Sequence, residues 1–372
     1  MKYEIKPDYY DSFVCSADKC TFTCCKQWKI AVDDNTYKKW KKVKDEKGQC
    51  LKDCVTYKDE ERVIALNEQK NCPYLKENGL CKLVLQHGEQ ILSDTCHTFP
   101  RQIHEFADRT EYSLVSCCPD VIDIWNQLDK VTFVKNMEQK ETNPLFILRS
   151  LLTDIIQNQH YSLKEAWRIS FYILIDLYEQ KDISVEVTKR YQEENFIGEL
   201  RNTLAKLQDY PFDTFQERNE LFLDLADNYR KEEIYVQQLE PLASLAEKLE
   251  DDYSKIDEAI INAFEKELKK YESLFRNFLA AELFTNMLIP DSDFESMLVM
   301  FQWMTIEYAT IQQALFLYWF NNDKQSLTYE TIQTYIVVLS RMTGYDQEDI
   351  YEYLESSFQS LIWTWNYFSL VC

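Results

Sequence analysis

The distribution of cysteines constrains this chain more than any other feature of its sequence. Eleven of the twelve cysteines lie between Cys15 and Cys118, and only Cys372 lies outside that segment. A chain of 372 residues can bury a sizeable core without disulfides, and closely spaced cysteines then favour metal binding. The first third is therefore expected to hold the chemistry or a structural metal. The groups read Cys15-x4-Cys20-x3-Cys24-Cys25, Cys72-Pro73, Cys81, Cys96-His97 and Cys117-Cys118-Pro119.

Thiols that bind metals must stay reduced, and two features of the sequence favour a reducing compartment. Met1–Pro7 has no apolar segment and no small-residue cleavage site, so it does not read as a secretory signal. The most apolar stretch, residues 303–320, is interrupted by Glu307, Gln312 and Gln313 and predicts a buried helix rather than a membrane span. We expect a cytoplasmic protein with no membrane partner, in which clustered cysteines serve a metal or redox role.

Beyond residue 140 the sequence pattern changes, and apolar residues recur at helical spacing. Ser162 and Glu165 form a capping box ahead of a run that places Trp167 and Phe171 on one face. Asn78-Gly79, in contrast, predicts a tight turn that brings Cys72 and Cys81 together. Helical stretches are predicted around 35–44 and 145–156, and at 216–230, 243–288, 294–320, 329–341 and 347–367, with a break at 290–293.

These patterns predict a mainly α protein of two parts. Residues 1–130 are expected to form a cysteine-rich, metal-binding domain of short helices and loops. Residues 131–372 are expected to form an all-α helical domain that recognises the substrate. Aromatic side chains at helical spacing in the second part are expected to pack its core.

The net charge of −22 limits the classes of partner, and the acidic excess lies after residue 70. Binding to a phosphate backbone depends on cationic side chains, so a nucleic-acid partner is not expected. An acidic body suits a lysine-bearing protein partner, although an acidic surface that keeps the protein soluble explains the charge more simply.

The spacing of the cysteines indicates a metal more clearly than it identifies one. A closed zinc site would use four cysteines, or cysteines together with His97 or His104, whereas a 4Fe–4S cluster would use four thiolates. Two groups of four cysteines would serve one of each, two zincs, or one cluster with spare thiols. Cys24 and Cys25 are adjacent, so one of them is expected to have a different role from the other. The cysteines and histidines expected to be bystanders are Cys50, Cys54, one of Cys117 and Cys118, His87, His97 and His104.

Several common catalytic sites are missing from the sequence. There is no G-x-G-x-x-G, P-loop, G-x-S-x-G or H-E-x-x-H motif, and five glycines in total disfavour a dinucleotide-binding fold. The x3–x2 cysteine triplet of radical enzymes is also missing. No catalytic base and no cofactor-binding residue can be assigned from the residues alone.

Across residues 10–125 the sequence resembles the bacterial flagellin lysine-N-methylases, and its first and middle blocks are similar to the wider zinc- or iron-chelating cysteine-cluster domains. After residue 125 the resemblance is less specific. The matching blocks are Phe13-Val14-Cys15, Cys20, Cys24-Cys25-Lys26-Gln27-Trp28-Lys29-Ile30, Cys72-Pro73-Tyr74-Leu75, Gly79-Leu80-Cys81, Thr95-Cys96-His97-Thr98-Phe99-Pro100-Arg101 and Ser116-Cys117-Cys118-Pro119-Asp120.

The resemblance implies an enzyme that transfers methyl groups from S-adenosylmethionine to the ε-amino groups of flagellin lysines, with a cysteine-bound 4Fe–4S cluster. Zinc is the alternative metal. Two alternatives without methyl transfer use the same cysteines: a zinc-stabilised protein-interaction module and an iron–sulfur redox or sensor protein. The family cysteines that carry over to this sequence as metal ligands are Cys15, Cys20, Cys24, Cys25, Cys72, Cys81, Cys96 and Cys118.

Overall fold

Helices dominate the computed structural model, which describes residues 2–46, 48–58, 61–341 and 347–372. The predicted mainly α class is confirmed. The helices are α1 (Asp34–Trp40), α2 (Lys82–His87), α3 (Asp94–Thr98), α4 (Pro119–Gln127), α5 (Pro144–Gln157), α6 (Leu163–Gln180), α7 (Val185–Arg190), α8 (Glu194–Leu204), α9 (Pro211–Glu232), α10 (Val236–Asp251), α11 (Glu258–Leu268), α12 (Glu272–Asn286), α13 (Phe294–Asn321), α14 (Tyr329–Ser340), α15 (Gln347–Phe358) and α16 (Trp365–Val371).

Local sequence explains several of these boundaries. The Ser162 side chain accepts a hydrogen bond from the Glu165 backbone N–H at 3.2 Å, so the predicted cap of α6 is confirmed. The predicted break at 290–293 separates α12 from α13, and Asp293 caps α13 by accepting from the Ser296 backbone N–H at 2.8 Å. The stretch predicted as helical from 243 to 288 is divided among α10, α11 and α12, with Asp257 capping α11.

The described N-terminal residues also form strands, which the prediction of short helices and loops missed. Within the described residues, β1 (Tyr3–Pro7), β4 (Arg101–Glu105), β5 (Arg109–Leu114) and β6 (Phe133–Lys135) make one sheet in the order β4-β5-β1-β6. The two central strands, β1 and β5, are parallel, and the other two pairs are antiparallel. β2 (Val55–Lys58) and β3 (Glu61–Ile64) pair antiparallel in a separate ribbon.

Two apolar cores and a small third cluster of Tyr3, Ile5 and Phe284 organise the described residues. The larger core joins Tyr9, Phe13 and Trp125 to the long helices, with α13 buried on most of its surface. The smaller core lies within residues 25–96 and includes Trp40 and Tyr74. Residues on both sides of position 130 thus share the larger core, and the division of the chain at that position stays a prediction. Among the described residues, no helix has the length and apolar character that a membrane span requires.

Candidate functional site

Four of the predicted ligands, Cys25, Cys72, Cys81 and Cys96, belong to the smaller core. We call these four thiols, together with Cys24, the Cys25 group. The Cys72 backbone N–H donates to the Cys25 carbonyl at 2.8 Å and joins the first two segments. The predicted turn at Asn78-Gly79 is also present, with a Leu75–Cys81 bridge across it and Gly79 at a φ of +80°.

The thiols of the Cys25 group influence one another electrostatically. Burial raises the pKa values of Cys72, Cys81 and Cys96, with the Cys96 value reaching about 11, and the Cys25 charge adds to each increase. Cys25 differs, because a hydrogen bond from the Cys24 thiol, with help from Thr23, lowers its pKa to about 7. Cys25 is therefore the member that ionises most readily, and a thiolate is the form that binds metals.

Three further predicted ligands, Cys15, Cys20 and Cys118, lie near one another around Asp120. Cys15 is exposed, Cys20 is half-buried and Cys118 is buried immediately before α4. The Asp120 carboxylate accepts a hydrogen bond from the Ser16 backbone N–H at 2.7 Å, and its charge raises the pKa values of both Cys20 and Cys118, after the larger effect of burial. The eight predicted ligands thus divide into a group of five and a group of three.

No three His, Cys, Asp or Glu side chains in the described residues are arranged so that they could hold a metal ion. The ligand set and the identity of the metal therefore stay predictions. Among the expected bystanders, His97 is exposed and His104 is hydrogen-bonded to the Thr285 carbonyl at 3.0 Å. Cys117 is buried, which raises its pKa to about 12.

Arg341, at the end of α14, is a site residue that the sequence reasoning missed. Its guanidinium donates to the carbonyls of Phe22 (2.6 Å), Thr23 (3.4 Å) and Cys117 (3.3 Å), and to the Tyr235 hydroxyl (2.5 Å). Its positive charge lowers the pKa of Cys20 and Cys25, although other groups have larger effects. A fixed cation therefore lies between the two cysteine groups. No spacing in the sequence relates Arg341 to the cysteines of the two groups, which lie more than 220 residues before it.

A pair of buried carboxyl groups forms the second feature that sequence reasoning missed. Glu282 of α12 and Glu307 of α13 are only 2% and 4% exposed. Burial, followed by the charge of Glu307, raises the pKa of Glu282 to about 8, while Ser116 and Asn286 hydrogen-bond to it. Both carboxyl groups also influence the thiol of Cys117, so the pair lies next to the segment that Arg341 anchors. Buried acids with strongly shifted pKa values concentrate at functional sites, though structural pairs shift as well.

A groove between α9, α13 and α15 adds a surface suited to a cationic partner. Its volume is about 600 Å³. Leu225, Trp303 and Ile306 are buried and form an apolar floor. Tyr353 lines one wall, and the acidic lining residues are Glu232 (which pairs with Lys58), Asp349 and Glu352, beside one lysine, Lys231.

Comparison with known proteins identifies the family. Residues 149–371 match the model of the FliB lysine N-methylase C-terminal domain. The chain belongs to this family. The predicted resemblance to the lysine N-methylases is thereby confirmed, and Arg341, Glu282 and Glu307 all lie in the matched segment, whereas the predicted metal ligands lie before it.

Individual relatives in this family include lysine-N-methylases from Salmonella typhimurium strain LT2 and Salmonella choleraesuis strain SC-B67. Each is 28% identical over 225 residues, which is 54% of this chain and 52% of the relative. The flagellar biosynthetic protein FliU of Salmonella muenchen is 32% identical over 129 residues, 31% of this chain and 72% of that protein. The chain thus spans about half the length of the lysine-N-methylases that it matches. No solved structure matches it.

Proposed function

We propose that this protein is a lysine N-methyltransferase that transfers the methyl group of S-adenosylmethionine to the ε-amino groups of flagellin lysines. The observation that carries the proposal is the match of residues 149–371 to the FliB lysine N-methylase domain. The name of the FliU relative, a flagellar biosynthetic protein, favours a flagellar substrate. The acidic body and the groove with an aromatic floor suit a lysine, whose apolar stem ends in a cation.

The reaction places two demands on the protein. The lysine nitrogen forms a bond to the methyl carbon while the carbon–sulfur bond breaks and its electron pair returns to sulfur, leaving the thioether product. Because a protonated amine has no electron pair for this attack, the ammonium must first give its proton to a base or to water. The protein therefore has to hold the donor and the amine together and provide a route for one proton.

The assay for this function uses the purified protein, flagellin and S-adenosylmethionine. Mass spectrometry of digested flagellin is expected to show methylated lysines only when all three are present. Flagellin with acetylated lysines is the matched control, since acetylation removes the nucleophile but keeps the rest of the substrate. If the enzyme binds S-adenosylmethionine but flagellin carries no methylated lysine after prolonged incubation, flagellin is excluded as the substrate.

An iron–sulfur cluster in the Cys25 group is the second part of the proposal. The thiols of Cys25, Cys72, Cys81 and Cys96 have the donor chemistry of such a cluster and lie in one small core, but in the described residues they are not arranged closely enough to hold a metal ion, so they would have to draw together around it. Four thiolates are the usual ligand set of a 4Fe–4S cluster, which would supply a redox-active iron centre there. The positive charge of Arg341 near Cys25 would offset part of the negative charge that four thiolates bring. Zinc, the alternative, would make the same residues a structural clamp.

The metal is tested by purification without oxygen, followed by visible absorption and analysis of iron, sulfide and zinc. A brown protein with about four irons and four sulfides per chain supports the cluster. Cys25→Ser is expected to lower the iron content, whereas Cys50→Ser serves as the control on a cysteine expected to be a bystander. Full methyl transfer by a folded, iron-free protein would refute a chemical role for the cluster.

A binding module without chemistry is the alternative function, and the groove between α9, α13 and α15 is compatible with it as well. Acidic side chains around an apolar, aromatic floor would bind a lysine-bearing partner whether or not a methyl group is transferred. Flagellin that binds tightly but is never methylated would support this alternative. An iron–sulfur redox or sensor protein is the third hypothesis. It predicts a cluster that changes oxidation state in a protein that does not bind S-adenosylmethionine.

A further inference from the structure

The groove between α9, α13 and α15 presents one face of α15 to a possible ligand. Asp349, Glu352, Tyr353 and Ser356 line it and recur at positions i, i+3, i+4 and i+7 of that helix, so they lie on the same face. The groove volume of about 600 Å³ falls within the range for ligand pockets, about 300–1,000 Å³. The groove is therefore large enough to take several side chains of a bound segment.

Glu352 brings an uncompensated negative charge to this groove. Its side chain is exposed, and among the described residues no nitrogen of a lysine, arginine or histidine lies within 4 Å of its carboxylate. Glu232, in contrast, pairs with Lys58. Lys231 also lines the groove, and its charge lowers the pKa of Asp224 on α9, although burial has the larger effect and raises that pKa overall. The lining thus keeps a net negative charge even when both lysines are counted.

A row of carboxylates on α9 extends this negative charge beyond the groove. Glu217, Glu220 and Asp224 are three and four residues apart, so they share one face of the helix. Asp224 accepts a hydrogen bond at 3.2 Å from the hydroxyl of Tyr353, the residue that lines the groove wall. In the described part of the chain, none of the three carboxylates pairs with a cation. Burial, followed by the charges of neighbouring carboxylates, raises the pKa of Glu220, so a bound cation would relieve repulsion here.

A lysine bound in such surroundings is held in its charged form. Carboxylates beside an ammonium favour the protonated state, whereas methyl transfer requires the neutral amine. A lysine in the groove is therefore recognised but is poorly prepared to react.

We propose that the groove docks lysines of flagellin that neighbour the lysine being methylated, an inference that rests on the proposed function. The apolar stem of a docked lysine packs on the floor formed by Leu225 and Ile306. Its ammonium lies between the carboxylate of Glu352 and the ring of Tyr353, which attract a cation. The groove thus selects segments with several lysines, and the chemistry takes place outside it.

This role has a consequence for modified substrates. Methylation keeps the positive charge of a lysine, whereas acetylation removes it. Methylated flagellin is therefore expected to dock as well as unmodified flagellin does, so that a segment rich in lysines stays bound while its lysines are modified one after another. Flagellin with acetylated lysines is expected to lose this binding.

The test measures flagellin binding by isothermal titration calorimetry, and methylation by steady-state kinetics, for the full chain and three variants. Glu352→Gln removes the uncompensated charge, and Ser356→Trp fills the groove without changing its charge. Glu355→Gln is the matched control, because Glu355 is exposed on the same helix but does not line the groove. Circular dichroism melts accompany each variant, and Glu352→Gln keeps the test valid if Ser356→Trp does not fold.

We expect Glu352→Gln to weaken flagellin binding about 3- to 5-fold, as for loss of an exposed ion pair. Ser356→Trp should weaken it about 10-fold, because the indole occupies the space of the docked side chain. The KM for flagellin should rise by the same factors while kcat is unchanged, since docking is the same in the ground state and the transition state. Glu355→Gln should behave as the unchanged protein does.

Three results would overturn the docking role while leaving the proposed function intact. They are unchanged affinity in both groove variants, acetylated flagellin that binds as tightly as unmodified flagellin, and a fall in kcat in the groove variants, which would place the reacting lysine in the groove. Flagellin that binds through the groove but is never methylated by the unchanged protein would refute the proposed function instead.

Discussion

Replacing Glu282 by glutamine is expected to change the way stability depends on pH. Glutamine keeps the size and hydrogen-bonding capacity of a neutral glutamic acid but does not ionise. In the folded protein the pKa of Glu282 is raised from 4.5 to about 8, first by burial and then by Glu307. The folded state thus retains a proton that the unfolded chain releases above a pH of about 4.5.

The sign and size of the effect follow from this shift. A carboxyl group whose pKa rises on folding stabilises the protein fully below the unfolded pKa, and that contribution is lost as the pH rises through the folded value. Between pH 4.5 and 8 the slope approaches about 1.4 kcal/mol per pH unit, or roughly 4 kcal/mol over the window. The free energy of unfolding of the glutamine variant does not fall in this way, because glutamine does not ionise. Relative to the unchanged protein, the variant should therefore gain stability between pH 5 and pH 8.

Urea denaturation of both proteins at pH 5, 6.5 and 8 measures this difference. The exposed Glu199 of α8 offers a matched control, since Glu199→Gln removes one carboxylate without affecting the buried pair. The control should differ from the unchanged protein by the same small amount at every pH. A constant difference for Glu282→Gln, or one that shrinks as the pH rises, would refute the account of a neutral, buried carboxyl group.

Three other substitutions test the described contacts by the same urea assay at neutral pH. Arg341→Met leaves three backbone carbonyls without a hydrogen-bond donor and should lower the free energy of unfolding by about 3 kcal/mol. A loss of stability below about 1 kcal/mol would mean that these carbonyls find other donors. Arg149→Met leaves the buried Glu111 carboxylate without its partner, which lies 2.7 Å away, and should lower the free energy of unfolding by about 3–5 kcal/mol. The double variant Arg149→Met/Glu111→Leu should lose much less stability, because no buried charge remains unpaired. Equal losses in the single and double variants would contradict a buried ion pair. Ser162→Ala removes the cap of α6 at a cost of about 1 kcal/mol, and an unchanged midpoint would show that this cap does not matter.

Much of the helical part could be predicted from the sequence, because the signals are local. The cap at Ser162 and the turn at Asn78-Gly79 depend on residues within about four positions of one another. The break at 290–293 likewise follows from its own residues, and the boundaries of α13 and α14 lie within a residue of those predicted. Periodicity over such short windows reports which face of a helix is apolar, and at these positions tertiary packing did not override it.

The strands and the site, in contrast, were decided only by tertiary structure. Tyr3 pairs with Arg109, which lies more than 100 residues away in the sequence, and the residues of neither strand indicate which strand it will pair with. Glu282 and Glu307 read as ordinary helical glutamates until packing buries them against each other.

The cysteines illustrate the same division. Their number and spacing indicated a metal-binding segment, but only the path of the chain separates the Cys25 group from the thiols around Asp120 and places a cation from the end of α14 between them. Residue identity determines which side chains can bind or ionise, and local patterns determine the helices. Which of those side chains meet depends on long-range contacts, because their burial and mutual charge arise only when distant segments pack together.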